Sequence, residues 1–334
     1  MPYETFCEED ALSLKGMTFW QHWIPCGLHL APSVYVAKED GVVIGLISLR
    51  SLGKSHSCWR LEHLVVHPSH RGRGIAQELL RFVFALFGSQ GVSHFIAEVS
   101  DQNSAGLNLL GDVGFRRCAR VNHFQVPSDY QEDTNSVDFG MFRLAMPDDK
   151  QKLYQLHQDC LPPDHRLIYE WVPDDFNVPD LPVDNFEKMS KRLIKKRRWF
   201  WVSQDSDRKV LTSAVKVTAH QEGDYHLEFA VHPGWAHQAP QIVAFTFAMM
   251  RRAGMRGMLL AKAFDYQPAV VEALDDAKLD RIGYFSLLAR EHWQRAKQPR
   301  KLKLERKVGL APIASPAINL PRHSNRRGDS TWNT

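Results

Sequence analysis

The stretch Leu61–Ala76, LEHLVVHPSHRGRGIA, decides how the rest of the chain is read. Leu61 to Val66 is apolar and partly β-branched, as a buried strand should be. Pro68 cannot donate to a sheet ladder and ends it. Arg71, Gly72, Arg73 and Gly74 follow. Ile75 to Gly88 then places Ile75, Leu79, Leu80, Val83 and Leu86 at helical spacing. Two glycines let the backbone approach a ligand closely. The free N–H groups of the first helical turn converge on the same spot, where the helix dipole favours an anion. Ile75 and Ala76 open that turn, and the two arginines add charge. A strand, a basic glycine loop and a helix start make a site for a phosphate or pyrophosphate.

The order R-G-R-G-I-A does not fit the dinucleotide loop G-x-G-x-x-G. Gly53, Lys54 and Ser55 give the tail of a nucleotide-triphosphate loop, but Ser48 stands where its first glycine belongs, and a strand follows instead of a helix. What fits is V-x-P-x-x-[RQ]-x-x-G-x-[GA], filled in register by Val66, Pro68, Arg71, Gly74 and Ala76. The stretch resembles the acyl-CoA loop of the GCN5-related N-acetyltransferases (GNAT). The second apolar strand HFIAEV with Glu98, then Asn103, a helix and Gly114-Phe115, keep the family's order. The resemblance covers roughly Val34 to Val126.

The resemblance implies a fold and a site. The fold class is α/β (α+β), a mixed, mostly antiparallel twisted sheet flanked by helices. Acetyl-CoA is the implied co-substrate. Its phosphates are expected on Arg71, Gly72, Arg73, Gly74, Ile75 and Ala76. Its pantetheine arm is expected along the free backbone of Leu64, Val65 and Val66, with Asn103 near that arm. One backbone N–H of that edge is the expected oxyanion donor. Glu98 matches the position of a base in ribosomal-protein N-terminal acetyltransferases, and Glu62 lies on the strand where other branches carry one. A carboxylate at either place suits removal of the ammonium proton, because only a neutral amine attacks. One departure stands out: counting back from Gly114, Leu110 occupies the place of the tyrosine that usually protonates the thiolate. His123, Tyr130 or water are the substitutes. His63 and His67 share a strand face, but no third ligand accompanies them, so no metal is expected.

After Val126 the chain starts again. FRLAMPDD from Phe142 looks like a family first strand and its turn into a helix. LEFAVHPGWA from Leu227 echoes LEHLVVHPSH, and aligning Val231-His232-Pro233 with Val66-His67-Pro68 gives an offset of 165 residues. A repeat of that length is a domain. Two tandem folds are expected: 1–127 catalytic and N-terminally short, 128–139 a linker, 140–297 degenerate, and 298–334 a basic, disordered tail. The second copy has Ala236-His237-Gln238-Ala239-Pro240-Gln241 where the first has its loop. No arginine or glycine remains, and the proline removes a donor.

Composition bounds the rest. At 334 residues the chain has room for two cores. No apolar run is long enough to cross a membrane, and the start carries no signal-peptide pattern. Five scattered cysteines without a C-x-x-C pair read as reduced thiols, which suits the cytoplasm. From Arg290 onward, 11 Lys or Arg against 3 Asp or Glu give +8. The whole chain is +4, so the body is about −4. A basic tail suits nucleic acid, but a solvated tail is the simpler reading. The expected activity is acetyl transfer from acetyl-CoA to a primary amine of a small molecule or peptide. The rival reading is a CoA-binding regulatory module without transferase activity. The acceptor and the oligomeric state are not legible.

Overall fold

The computed structural model describes residues 33–127, 139–178, 198–219, 224–255 and 257–292. The aromatic segment around Phe19, Trp20 and Trp23, nearly all of the linker, Tyr130 and the basic tail lie outside the described residues.

The first half runs β1 (Ser33–Glu39), β2 (Val42–Leu52), β3 (Cys58–Val66), α1 (Ile75–Gly88), β4 (His94–Ser100), α2 (Ser104–Asp112) and β5 (Arg116–Val126). The second runs β6 (Phe142–Leu144), α3 (Lys150–Cys160), α4 (Pro163–Tyr169), β7 (Arg198–Gln204), β8 (Leu211–Ala219), β9 (Tyr225–Val231), α5 (Ala239–Arg252), β10 (Leu259–Phe264), α6 (Pro268–Asp276) and β11 (Asp280–Glu291). Local chemistry fixes the turns. Asp40 and Gly41 both take positive φ, 49° and 82°, and join β1 to β2 as a two-residue hairpin. Between β7 and β8, Asp205 Oδ1 accepts from the backbone N–H groups of Asp207 and Arg208. The offset of 165 carries β7 onto β1, and no counterpart of β6 occurs among the described residues.

All eleven strands form one sheet in the order β1-β2-β3-β4-β11-β5-β10-β9-β8-β7-β6. The sequence suggests that Phe115 to Val126 closes the first unit. It does not. β11, the last strand of the second half, inserts between β4 and β5 and is antiparallel to both. β5 in turn pairs with β10 of the second half. Each half thus lends its last strand to the other, and neither sheet is complete alone. The last strand of a single copy carries no mark of whose sheet it joins, so this exchange has no sequence signal.

Helices α1 and α2 cover one face of the first half, burying Ile75, Leu80, Val83 and Phe87 against Trp59, Leu61, Phe95 and Val99. Helices α5 and α6 cover the second half, over Trp199, Trp201, Val217 and Leu227. On the opposite face, α3 packs on Phe200, Val202 and Ala230. Leu161, Ile168 and Tyr169 of the second half pack there on Cys58, Ile96 and Ala119 of the first. Asp175 accepts from the Lys54 N–H at 2.6 Å and adds to this docking.

Candidate active site

The cleft begins where β3 leaves β4. The two strands are parallel and paired only from Cys58–His94 to Leu61–Ala97. From His63 to Val66, β3 remains paired to β2 on one side alone. The cause is local. Leu49 opposes Leu61 and Ser48 opposes His63, so Glu62 is an extra residue, a β-bulge. A bulge bends its strand and increases its twist. The bend stands where the backbone of Leu64, Val65 and Val66 opens, the edge expected to receive an acyl-CoA.

The loop stands at the far end of that edge. Gly72 and Gly74 take φ of 77° and 80°, which L side chains rarely adopt. No heavy atom lies within 4 Å of where a Cβ would stand on either. Gly74 is the N-cap of α1, so Ile75 and Ala76 begin the helix beside open space. Arg71 Nε donates to the Val66 carbonyl at 3.3 Å. Arg73 is engaged by both carboxylate oxygens of Glu39, at 2.8 and 3.1 Å, a pairing the sequence did not suggest. Those bonds and the arginine charge hold the exposed Glu39 carboxyl below its ordinary range. His70 also reaches Glu39, at 3.2 Å. Glycine cradle, helix start, guanidinium groups and open strand edge together fit an acyl-CoA.

Two carboxylates lie at the mouth, in unlike surroundings. Glu98 is one residue past the last β3–β4 pair and only 10% exposed. Lys262 Nζ is 3.0 Å from both of its oxygens, and Arg60 donates to Oε2 at 3.0 Å. His123 Nε2 lies 2.5 Å from Oε1. Burial would raise the Glu98 carboxyl, but Lys262, His123 and Arg60 outweigh it and hold it well below the carboxylate range. Burial lowers His123, and the contact with Glu98 offsets this only in part. Glu62 sits on the bulge, 19% exposed, with Arg50 at 2.8 Å. Glu98 is therefore a fixed negative charge with little appetite for a proton, and Glu62 is the less encumbered of the two.

Asn103 caps α2, its Oδ1 accepting from the Gly106 N–H at 2.9 Å. Leu110 is 1% exposed in the core under α1 and α2. Among the described residues no group of three or more His, Cys, Asp or Glu side chains is placed to hold a metal ion.

Sequence reasoning missed Arg60 and Lys262. Lys262 belongs to a row across four strands of both halves. Lys216 opposes Glu228, Glu228 opposes Lys262, and Lys262 opposes His123. Opposed residues share a face, and Lys216 Nζ bonds Glu228 Oε2 at 2.8 Å. A cavity of about 40 Å³ lies beside this row, lined by His157, Trp171, Glu228, Lys262, Tyr266 and Gln267 among others. A larger depression of about 340 Å³ near Ser203, Thr212 and Trp235 holds none of the expected site residues.

The second half keeps the parting of strands but not the cleft. Pairing of β9 with β10 ends at Glu228–Lys262. Gln267 then bridges the gap: its Nε2 donates to the Phe229 carbonyl at 3.0 Å, and its Oε1 accepts from the Phe264 N–H at 3.3 Å. The bulge is gone too. LEFAVHP is seven residues where LEHLVVHP is eight, and the β8–β9 ladder has no register shift. The missing residue is the one that bends the strand in the first half.

Comparison with known proteins agrees with this geometry. Residues 3–115 match the model of the acetyltransferase (GNAT) family. The mouse probable N-acetyltransferase family 8 member 5 is 30% identical over 97 residues, 28% of this chain and 43% of that protein. The Salmonella typhimurium L-methionine sulfoximine/L-methionine sulfone acetyltransferase is 29% identical over 129 residues, 38% of this chain and 75% of that one. The Escherichia coli L-amino acid N-acyltransferase MnaT is 37% identical over 87 residues, 25% and 49% of the two chains. The match thus spans less than half the length of two of these relatives. Among solved structures, a tandem GNAT protein from the clavulanic acid biosynthesis pathway covers 80% of this chain and 84% of its own, at 15% identity and a TM-score of 0.50. A GCN5-related N-acetyltransferase from Sphaerobacter thermophilus covers 81% and 84%, at 14% identity and a TM-score of 0.55. Residues 3–115 carry a domain of the acetyltransferase (GNAT) family, in a chain whose described part has the fold of two such units in tandem.

Proposed function

We propose that the first half transfers an acetyl group from acetyl-CoA to a primary amine. The observation that carries this reading is the conjunction, on one strand, of the bulge at Glu62, the unpaired edge at Leu64 to Val66 and the glycine loop from Arg71 to Gly74. Acetyl-CoA supplies the thioester, which the chain must hold and present. The N–H groups at the start of α1, with Arg71 and Arg73, would take the phosphates. The free edge of β3 would take the amides of the pantetheine arm and offer the N–H that stabilises developing oxyanion charge. Glu98, kept ionised by Lys262 and Arg60, orients the acceptor amine. Glu62 accepts its proton directly or through water. Two carboxylates whose environments differ this much suit two different tasks.

Leu110 favours a second reading, a CoA-binding module without turnover, because no side chain at that position reaches the cleft to protonate a thiolate. Thiol release from acetyl-CoA with a panel of primary amines separates the two. Relatives named for amino-acid substrates put α-amino acids first in the panel, followed by peptide N-termini and lysine. The proposal predicts release with at least one amine class. Binding of acetyl-CoA without release from any would favour the module.

A further inference from the structure

The second half has lost its loop and its bulge, and Gln267 bridges its cleft. It nevertheless reaches the first half's centre twice, at one residue. Leu287 of β11 is the backbone partner of Glu98, and Lys262 of β10 grips both oxygens of its carboxylate. Resting on the function proposed above, we propose that Lys262 is a positioning residue for the first half's reaction: it fixes the Glu98 carboxylate at the mouth of the cleft, so that the working centre is built from both halves.

The geometry supports more than a surface ion pair. Lys262 is 18% exposed and Glu98 10%, so the pair is shielded from solvent. Lys262 is held in turn by its place opposite both Glu228 and His123 in the cross-strand row. By the repeat offset, Lys262 falls beside the second-half counterpart of Glu98. The groups that act on Glu98 come from several elements: Arg60 from β3, His123 from β5 and Lys262 from β10. Removing Lys262 leaves the carboxylate with Arg60 and His123 alone. The carboxylate then loses the contact that fixes both of its oxygens, and it binds a proton more readily. Small displacements of a positioning group cost rate more than affinity.

The test uses the full chain. Lys262→Met, Lys262→Gln and Lys262→Arg are compared with wild type for thiol release from acetyl-CoA, using the best amine found for wild type, from pH 6 to 9. Acetyl-CoA affinity is read by calorimetry and folding by thermal denaturation. The Met and Gln variants should lose about tenfold or more in kcat. Their affinity for acetyl-CoA should stay within about twofold of wild type, and the acidic limb of the rate profile should move to higher pH. Lys262→Arg, which keeps the cation, should recover most of the rate. A Met variant with wild-type kcat and pH profile overturns the proposal. So does failure of both uncharged variants to fold while Lys262→Arg is active, because Lys262 would then serve the fold alone. A wild type that releases no thiol with any amine overturns the function itself and this role with it, whereas an active wild type with an unaffected Met variant overturns only the role.

Discussion

At the scale of single residues, surroundings rank the site. Glu98 and Glu62 read alike in the sequence as carboxylates on neighbouring strands. Only the fold shows that one is clamped by Lys262, Arg60 and His123 while the other has Arg50. The pH dependence of the matched variants follows. Glu62→Gln should lower turnover by about 10²-fold, and the loss should shrink as pH rises and more of the amine is already neutral. Glu98→Gln should lower turnover with little change of that loss across pH, because a fixed charge is removed. Rates from pH 6 to 10 check both, and the reverse pattern would make Glu98 the base. A second residue titrates into stability. Burial, aided by Lys216, pushes His157 down to about 4. An unfolded histidine titrates near 6.5. Keeping His157 neutral therefore contributes stability fully present above about pH 6.5 and lost as pH falls from there toward 4. His157→Phe keeps the ring packing against Phe176 and removes the titration. Its stability should fall about 1–2 kcal/mol less than wild type between pH 7 and 5, measured by urea denaturation. Equal slopes would show that the burial of His157 does not matter.

At the scale of elements, the strand with the bulge does most of the work. The helix Ile75–Gly88 and the end of its preceding strand at Val66 are read correctly to the residue, because periodicity, proline and glycine mark them. The bulge is not visible in one copy: an extra residue has no signature until a partner strand supplies the register. It becomes legible in the comparison of LEHLVVHP with LEFAVHP, once the ladders show which copy is irregular. Deleting Glu62 should then give the first half the regular strand of the second. Such a variant should keep a cooperative thermal transition but lose affinity for acetyl-CoA by at least about tenfold, since the bend shapes the open edge. Unchanged affinity would show that the parting of β3 from β4 has another cause. Glu62→Ala, which keeps the residue count, is the control and should bind acetyl-CoA as wild type does.

At the scale of the whole molecule, tandem copies and exchanged strands have different physical consequences. The repeat is legible in the sequence because the two copies still share Val-His-Pro and its surroundings. The exchange is not, because it depends on pairing between segments more than 130 residues apart, such as β5 with β10 and β4 with β11. Halves that share one sheet cannot unfold independently without leaving unpaired strand edges in each. Urea denaturation of the full chain should therefore show one transition, coincident by far-UV circular dichroism and tryptophan fluorescence. Two separated transitions would mean that the halves are stable apart. The lost loop and the Gln267 bridge of the second half lead to a predicted stoichiometry. The direct measurement is calorimetric titration of acetyl-CoA into the full chain and into Gly74→Asp, which sets a side chain and a negative charge in the open cradle. One site per chain, abolished by Gly74→Asp, is the predicted result. Two sites, or one site indifferent to Gly74→Asp, would contradict the placement of acetyl-CoA in the first half.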